Sequence, residues 1–163
     1  MRINRYLYQK LKNAIKPNKV LVLMGPRRVG KTELLKKIAS EISEAVLFLN
    51  GDDIQTHNFL DQRSTENYKR LLGDSRFLII DEAQEIEDIG RKLKLMVDTI
   101  DGLKVLISGS SAFEINNQVG EPLVGRMSVF KMFPLAQLEF ANYENPIETR
   151  GRLEDRLIYG GYP

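Results

Sequence analysis

The chain has 163 residues, of which 42% are hydrophobic and 28% charged, and this is typical of one globular domain with its own core. It has no cysteine and a single histidine, which excludes disulfides, a cysteine nucleophile and a multi-histidine metal site. The formal net charge is +2, the apolar runs are too short to span a bilayer, and the N-terminus lacks a signal-peptide stretch, so we expect a cytoplasmic protein without membrane contact.

The N-terminal segment, residues 1–18, is predicted to be a basic amphipathic helix. Apolar residues recur there at helical spacing, at Ile3, Leu7, Leu11 and Ile15. Residues 1–32 hold nine Lys or Arg and no acidic residue. We favour a solvated helix as the interpretation, and a nucleic-acid or partner contact is the alternative.

Short apolar segments alternate with helical patterns along the rest of the chain. Strands are predicted over 19–24, 45–49, 76–80, 103–107 and 127–132, helices over 33–43, 65–72, 86–100, 135–143 and 153–159, and loops over 52–62 and 116–121. This alternation predicts βαβ units and a mostly parallel sheet covered on both faces. The fold class is therefore α/β, with residues 1–163 forming one domain.

A complete phosphate-loop motif, G-x-x-x-x-G-K-[ST], follows the first strand. Its residues are Gly25, Pro26, Arg27, Arg28, Val29, Gly30, Lys31 and Thr32, with Glu33 directly after them. Backbone amides of such a loop cradle phosphates, and the following helix adds its positive N-terminal end. We expect Lys31 to reach the β- and γ-phosphates of a nucleotide and the Thr32 hydroxyl to ligate Mg²⁺. Arg27 and Arg28 occupy free positions and are expected to contact solvent or a partner.

The third strand ends in two acids, Asp81 and Glu82, after the apolar run 77–80. We expect Asp81 to hold Mg²⁺ through water and Glu82 to orient the water that attacks the γ-phosphate. The adjacent Glu82 favours hydrolysis over phosphoryl transfer to a small molecule, because a kinase must keep activated water away. No guanine-reading motif is present in the sequence, so ATP is the expected nucleotide.

Three further polar positions leave alternatives open. Ser108 or Ser110, at the end of the fourth strand, could sense the γ-phosphate or cap a helix. Arg126, just before the fifth strand, could be an arginine finger or form a structural ion pair. His57 lies in the polar loop 52–62 and is expected to be exposed rather than catalytic.

The co-linear set of motifs resembles the AAA-type ATPases of archaea and bacteria related to signalling (STAND-like) NTPases. The matching segments are 25–32, 78–84, 108–111, 125–126, 133–135 with 139–140, and 160–163. The resemblance implies a five-stranded sheet in the order 5-1-4-3-2, with an extra strand between the loop strand and the acidic strand. It also implies a sensor role for Ser108 or Ser110 and a finger role for Arg126, through self-association.

Two departures from the family pattern bear on function. Glu33 stands where many members have a second threonine, and we expect that position to be peripheral. Similar proteins continue past Gly-Gly-Tyr-Pro into winged-helix and restriction-endonuclease-like regions, so we expect this chain to be the ATPase part of a longer protein. The leading hypothesis is Mg²⁺-dependent ATP hydrolysis, and the alternatives are a nucleotide-binding switch with little turnover or a nucleic-acid-stimulated ATPase.

Overall fold

The computed structural model describes residues 4–110, 122–140 and 143–162. The strands are β1 Lys19–Met24, β2 Val46–Asn50, β3 Phe77–Asp81, β4 Lys104–Gly109 and β5 Met127–Lys131. The helices are α1 Leu7–Ala14, α2 Lys31–Glu41, α3 Ile54–Asp61, α4 Thr65–Leu72, α5 Ile89–Thr99, α6 Gln137–Phe140, α7 Pro146–Gly151 and α8 Leu153–Tyr159, with a short 3-10 helix at Ala83–Glu85. None of the helices described is long and apolar enough to cross a membrane.

All five strands are parallel and form one sheet in the order β2-β3-β4-β1-β5. Read from the other edge, this is the predicted order 5-1-4-3-2, which is confirmed. Parallel strands bring their carboxyl ends to one edge of the sheet, where open α/β sheets place their ligands. The registers set Met24 beside Gly109 and Asn50 beside Asp81, so the chain segments after these strands meet at that edge.

Helices cover both faces of the sheet, which explains why the strands are apolar throughout. Side chains of a strand alternate between the two faces. Val20 and Val22 of β1 therefore join the core formed with α4 and α5, whereas Leu21 and Leu23 join the core formed with α1 and α2. The result is the predicted three-layer α/β/α arrangement, with the sheet as the middle layer.

The prediction of a loop over 52–62 is wrong, because helix α3 occupies Ile54–Asp61. The carboxylate of Asp53 accepts a hydrogen bond from the Gln55 amide at 2.9 Å and so caps the helix. Only Thr56 and Leu60 are buried on this helix. Two buried positions give too weak a periodicity for a sequence pattern to reveal.

Other boundaries shift because of turns and caps that hydrophobic spacing does not encode. The helix predicted over 86–100 is Ile89–Thr99, since the 3-10 helix Ala83–Glu85 intervenes after β3. The helix predicted over 135–143 is described only as Gln137–Phe140. A helix that was not predicted, Pro146–Gly151, begins at a capping box in which Asn145 and Glu148 cap each other's backbone amides. The predicted loop 116–121 lies outside the described residues.

Two buried carboxylates hold the segment after β5, one against the start of α1 and one against α8. Glu139, with 6% of its side chain exposed, accepts a hydrogen bond from the Tyr6 amide at 2.8 Å and lies 3.3 Å from Arg5 Nε. Glu144 pairs with Arg156, whose hydrogen bond holds the pKa of Glu144 below its ordinary value of 4.5. The Glu139 contacts set α6 beside the start of α1, and the Met132 amide joins the same segment to the Met24 carbonyl at the carboxyl edge of the sheet.

Candidate functional site

The loop between β1 and α2 turns sharply across the carboxyl edge of the sheet. The Gly25 amide donates to the Gly109 carbonyl at 3.3 Å, and a Cβ at Gly25 would collide with the Met132 carbonyl. Arg28 and Gly30 adopt left-handed backbone conformations, with φ of 64° and 92°. Val29 is fully buried and anchors the loop in the core under α2, whereas the side chains of the two arginines before it are exposed.

Lys31 lies inside this loop rather than in solvent, with an exposed fraction of only 4%. Its ammonium group donates to the Gly25 carbonyl at 2.9 Å and to the Pro26 carbonyl at 3.0 Å. A buried ammonium aimed at the concave side of a glycine loop is a fixed positive charge next to a nest of backbone amides. The loop can therefore accept an anion with several negatively charged oxygens.

Asp81 joins the loop to the neighbouring strands. Its Oδ2 accepts a hydrogen bond from the Thr32 hydroxyl at 2.6 Å, and its Oδ1 accepts one from the Ser108 hydroxyl. Asp81 is 5% exposed and Ser108 is fully buried. Ser108 lies within β4, and its hydroxyl contacts among the described residues are with Asp81 and the Glu82 amide. The three side chains form an oxygen-rich group at the carboxyl edge of the sheet.

The oxygen atoms at this edge fit Mg²⁺. Mg²⁺ in proteins is bound through oxygen, with one or two carboxylates, several waters and substrate phosphates. The Thr32 hydroxyl and the Asp81 carboxylate supply two such oxygen groups, beside a loop suited to phosphate. Thr32 and Asp81 are the side chains that would hold the ion.

Glu82 begins a tight turn directly after β3, with a left-handed backbone at φ 49° and ψ 45°. Its amide donates to the Ser108 hydroxyl at 3.1 Å. The Gly51 amide donates to the Asp81 carbonyl at 2.8 Å, and a Cβ on Gly51 would collide with the Glu82 carbonyl. Sequence reasoning missed Gly51, although a glycine that follows a buried strand was a usable signal.

A cavity of about 690 Å³ adjoins the loop on the side of α1 and α2. Its walls include Arg5 and Tyr8 of the N-terminal segment, Gly30 and Leu34 of the loop and α2, and Leu135. Burial lowers the pKa of Arg5 from its ordinary value, while the nearby Glu139 raises it. The prediction of a solvated N-terminal helix did not include a contribution of this segment to a cavity. The helical spacing of apolar residues gives no indication of one.

Arg126 is not brought to this site. It precedes β5 at the amino edge of the sheet, where its carbonyl accepts from the Val20 amide at 2.9 Å. The six residues of β1 separate that edge from the loop by roughly 20 Å, at about 3.3 Å per residue. Its guanidinium pairs with Asp98 at 2.5 Å, as in the ion-pair alternative. A finger role would require a second copy of the chain to present its loop at this edge, and it stays a prediction.

The remaining sequence candidates lie around the rim. The Glu33 carboxylate is 65% exposed and lies 3.8 Å from Lys36 on the same helix. Ser110 follows the end of β4 and is half-buried. His57 is half-buried rather than exposed, and its Nε2 lies 2.6 Å from the Gly51 carbonyl. The structure thus brings together Lys31, Thr32, Asp81, Glu82 and Ser108. Among the described residues, no side-chain hydrogen bond or ion pair joins Glu33, Ser110 or His57 to these five.

Comparisons with known proteins agree with this architecture. The model of a family described as "AAA domain" matches residues 17–141 of the chain. An uncharacterised protein of Methanocaldococcus jannaschii is 26% identical over 90% of this chain and 36% of its own length. An uncharacterised protein of Haemophilus influenzae is 27% identical over 88% of this chain and 39% of its own length. A solved structure from work on katanin self-assembly has the same fold, with a TM-score of 0.59 at 20% identity over 98% of this chain and 57% of that one.

Proposed function

Since the chain belongs to the AAA domain family, we propose that it binds ATP with Mg²⁺ and hydrolyses it to ADP and inorganic phosphate. The predicted membership of the AAA-type P-loop ATPases is confirmed, and nucleotide binding follows from that membership. The observation that carries the further proposal is the 2.6 Å hydrogen bond between Thr32 and Asp81. It joins the end of the phosphate loop to the acidic strand at the one edge where a triphosphate and its metal ion have to meet.

The phosphate part of ATP is bound by the loop and by Lys31. The Lys31 ammonium exchanges its two backbone carbonyl partners for phosphate oxygens. Phosphate oxygens carry negative charge and carbonyl oxygens do not, so the exchange adds charge–charge attraction and favours the bound state. The free amides at the start of α2 add further donors to the same phosphates.

The adenosine part fits the adjoining cavity between α1 and α2. The cavity opens beside Gly30 and offers the apolar side chains of Leu34 and Leu135 together with the guanidinium of Arg5. Cavities of about 300–1,000 Å³ with apolar walls and a few polar groups are usual for ligands of this size. The cavity volume of about 690 Å³ lies within that range.

Hydrolysis requires a base next to the bound γ-phosphate, and Glu82 is the candidate. Its carboxylate accepts a proton from water as the water oxygen attacks the γ-phosphorus and the bond to the bridging oxygen breaks. ADP leaves with the bonding electron pair, and inorganic phosphate is the second product. Bound Mg²⁺ would neutralise charge that develops on the phosphate oxygens. Thr32 and Asp81 would hold the ion, and Ser108 holds Asp81 in place.

Mg²⁺-dependent release of phosphate from ATP tests the proposal. The wild-type chain is expected to release phosphate with Mg²⁺ and to stop when a chelator is added. Asp81→Asn should lower the rate about 10- to 100-fold, as is usual when a group that orients a metal is lost. The matched control is Asp74→Asn, because Asp74 is exposed in the turn before β3. If neither the chelator nor Asp81→Asn lowers the rate of phosphate release, the metal assignment is overturned.

A second candidate function is stimulation of this ATPase by nucleic acid, and a basic groove favours it. The groove, about 600 Å³ in volume, lies between the end of α1 and the first residues of β1 and β5. It is lined by Lys10, Lys16 and Lys19, and none of its described lining residues is acidic. Clustered lysines bind nucleic-acid phosphates by releasing counterions. The groove lies at the amino edge of the sheet, so a bound strand would leave the ATP site open.

The double variant Lys10→Glu/Lys16→Glu is expected to lose stimulation by single-stranded DNA while keeping the basal rate. The logarithm of the DNA-binding constant falls linearly with the logarithm of the salt concentration, and each lost phosphate contact should reduce the slope of that line by about one. Phosphate release with an oligonucleotide, measured at increasing salt, gives both results. The double variant Lys69→Glu/Lys94→Glu, on α4 and α5, makes the same charge change at exposed positions away from the groove. If the wild-type rate is the same with and without DNA at low salt, the second candidate fails.

A further inference from the structure

The turn after β3 carries Glu82 and also Gln84, a residue to which the proposed hydrolysis assigns no role. Gln84 belongs to the 3-10 helix Ala83–Glu85 that follows β3. Its side-chain amide nitrogen Nε2 donates to Glu82 Oε2 at 2.7 Å. The same nitrogen lies 3.2 Å from Glu85 Oε1, and Glu85 is exposed. The amide of Gln84 therefore bridges the proposed catalytic carboxylate and a carboxylate at the surface.

The two carboxylates fix the orientation of this amide. A flipped amide would place the carbonyl oxygen of Gln84 against Glu82 and Glu85, where acceptor would face acceptor. With Nε2 on the carboxylates, the carbonyl oxygen Oε1 turns inward. It is buried and has no hydrogen-bond partner among the residues that the structure describes. Buried acceptors without a partner are uncommon and often mark a catalytic or strained position.

The backbone of Glu82 is constrained as well. Ser108 accepts the Glu82 amide at 3.1 Å, and the carbonyl of Glu82 packs against the Cα of Gly51. Non-glycine residues in a left-handed conformation persist where their surroundings force it, and they concentrate at functional sites. With the backbone held in this way, the direction of the Glu82 carboxylate depends on its side-chain partner, and that partner is Gln84.

We propose that Gln84 is a positioning residue for ATP hydrolysis. Its amide holds Glu82 Oε2 and so leaves Glu82 Oε1 to accept the proton of the attacking water. The proposal rests on the hydrolytic function proposed above, because it assigns the control of that same carboxylate. Gln84 itself exchanges no proton and contacts no substrate. Its loss affects the rate of the chemical step and leaves the affinity for ATP intact.

Two variants at this position separate positioning from simple packing. Gln84→Met keeps the length of the side chain and removes both hydrogen bonds. Gln84→Glu keeps the shape of the side chain, so the change would be tolerated if Gln84 only filled space. It also sets a third carboxylate against Glu82 and Glu85, so a positioning contact would be lost. Glu85→Gln is the matched control, since it removes the charge of the exposed partner of Gln84, keeps an oxygen that can accept the same hydrogen bond, and leaves the contact to Glu82.

The experiment measures single-turnover phosphate release, ATP affinity and the midpoint of thermal unfolding for each chain. We expect Gln84→Met and Gln84→Glu to slow release roughly 100-fold, the cost typical of a misplaced catalytic group. ATP affinity should stay within about twofold and the unfolding midpoint within a few degrees of wild type, whereas Glu85→Gln should match wild type throughout.

The outcomes distinguish this proposal from the function on which it rests. If wild type releases phosphate, Glu82→Gln does not, and both Gln84 variants keep the wild-type rate or exceed it, the positioning role is overturned and the hydrolytic function stands. A loss of ATP affinity or of folding that accounts for the lost rate also overturns the role. If wild type binds ATP and releases no phosphate, the hydrolytic function fails and the role of Gln84 fails with it.

Discussion

Replacing Lys31 with alanine is expected to weaken ATP binding by roughly 100-fold. The buried ammonium is the fixed charge inside the phosphate loop, and its two present acceptors, the Gly25 and Pro26 carbonyls, would give way to phosphate oxygens. Hydrogen bonds to charged groups contribute about 1.5–3 kcal/mol each, which is about 10- to 150-fold in the dissociation constant. Titration calorimetry with ATP and Mg²⁺ measures the change directly.

Lys69→Ala is the control for this prediction, because it removes a lysine of the same charge from the exposed surface of α4. It should bind ATP as wild type does. Circular dichroism of both variants checks that the fold persists, since Lys31 also holds two carbonyls of its own loop. An affinity for ATP in Lys31→Ala within threefold of wild type would mean that the phosphates bind elsewhere.

Glu82→Gln should abolish phosphate release and preserve ATP binding. The amide has nearly the shape of the carboxylate but cannot accept a proton from water, and general bases contribute about 10²- to 10⁴-fold to a rate. The backbone contacts of residue 82 with Ser108 and Gly51 do not involve the carboxylate and remain. Rapid mixing with labelled ATP should show a long-lived complex in which ATP stays intact.

The surface carboxylate Glu85 gives a matched control for Glu82, since Glu85→Gln makes the same change three residues further along the turn from Glu82. It is expected to turn over at the wild-type rate. If wild type itself binds ATP but releases almost no phosphate, and Glu82→Gln is indistinguishable from it, the chain acts as a nucleotide-binding switch. In that case the chain would act through the binding of ATP rather than through its hydrolysis.

Patterns within short segments were enough to predict the sheet and the loop. The strand Lys19–Met24 and the helices Thr65–Leu72 and Leu153–Tyr159 have the predicted bounds. An apolar run buried on both faces, a glycine that permits a turn and a cap residue all act over a few positions, so the sequence carries them directly. The strand order came from the resemblance to a family, because spacing alone does not say which strands are neighbours.

The contacts around the acidic residues depended on residues far apart in the chain. Ser108 reaches Asp81 because β4 inserts between β1 and β3, and Arg126 lies at the opposite edge because β5 starts where β1 starts. The bridge from Gln84 to Glu82 required the turn of the 3-10 helix, which apolar spacing does not report. The cavity wall at Arg5 required α1 to pack beside the segment after β5. Such contacts arise from the packing of separate elements, and a local pattern cannot encode them because it leaves the distant partner unspecified.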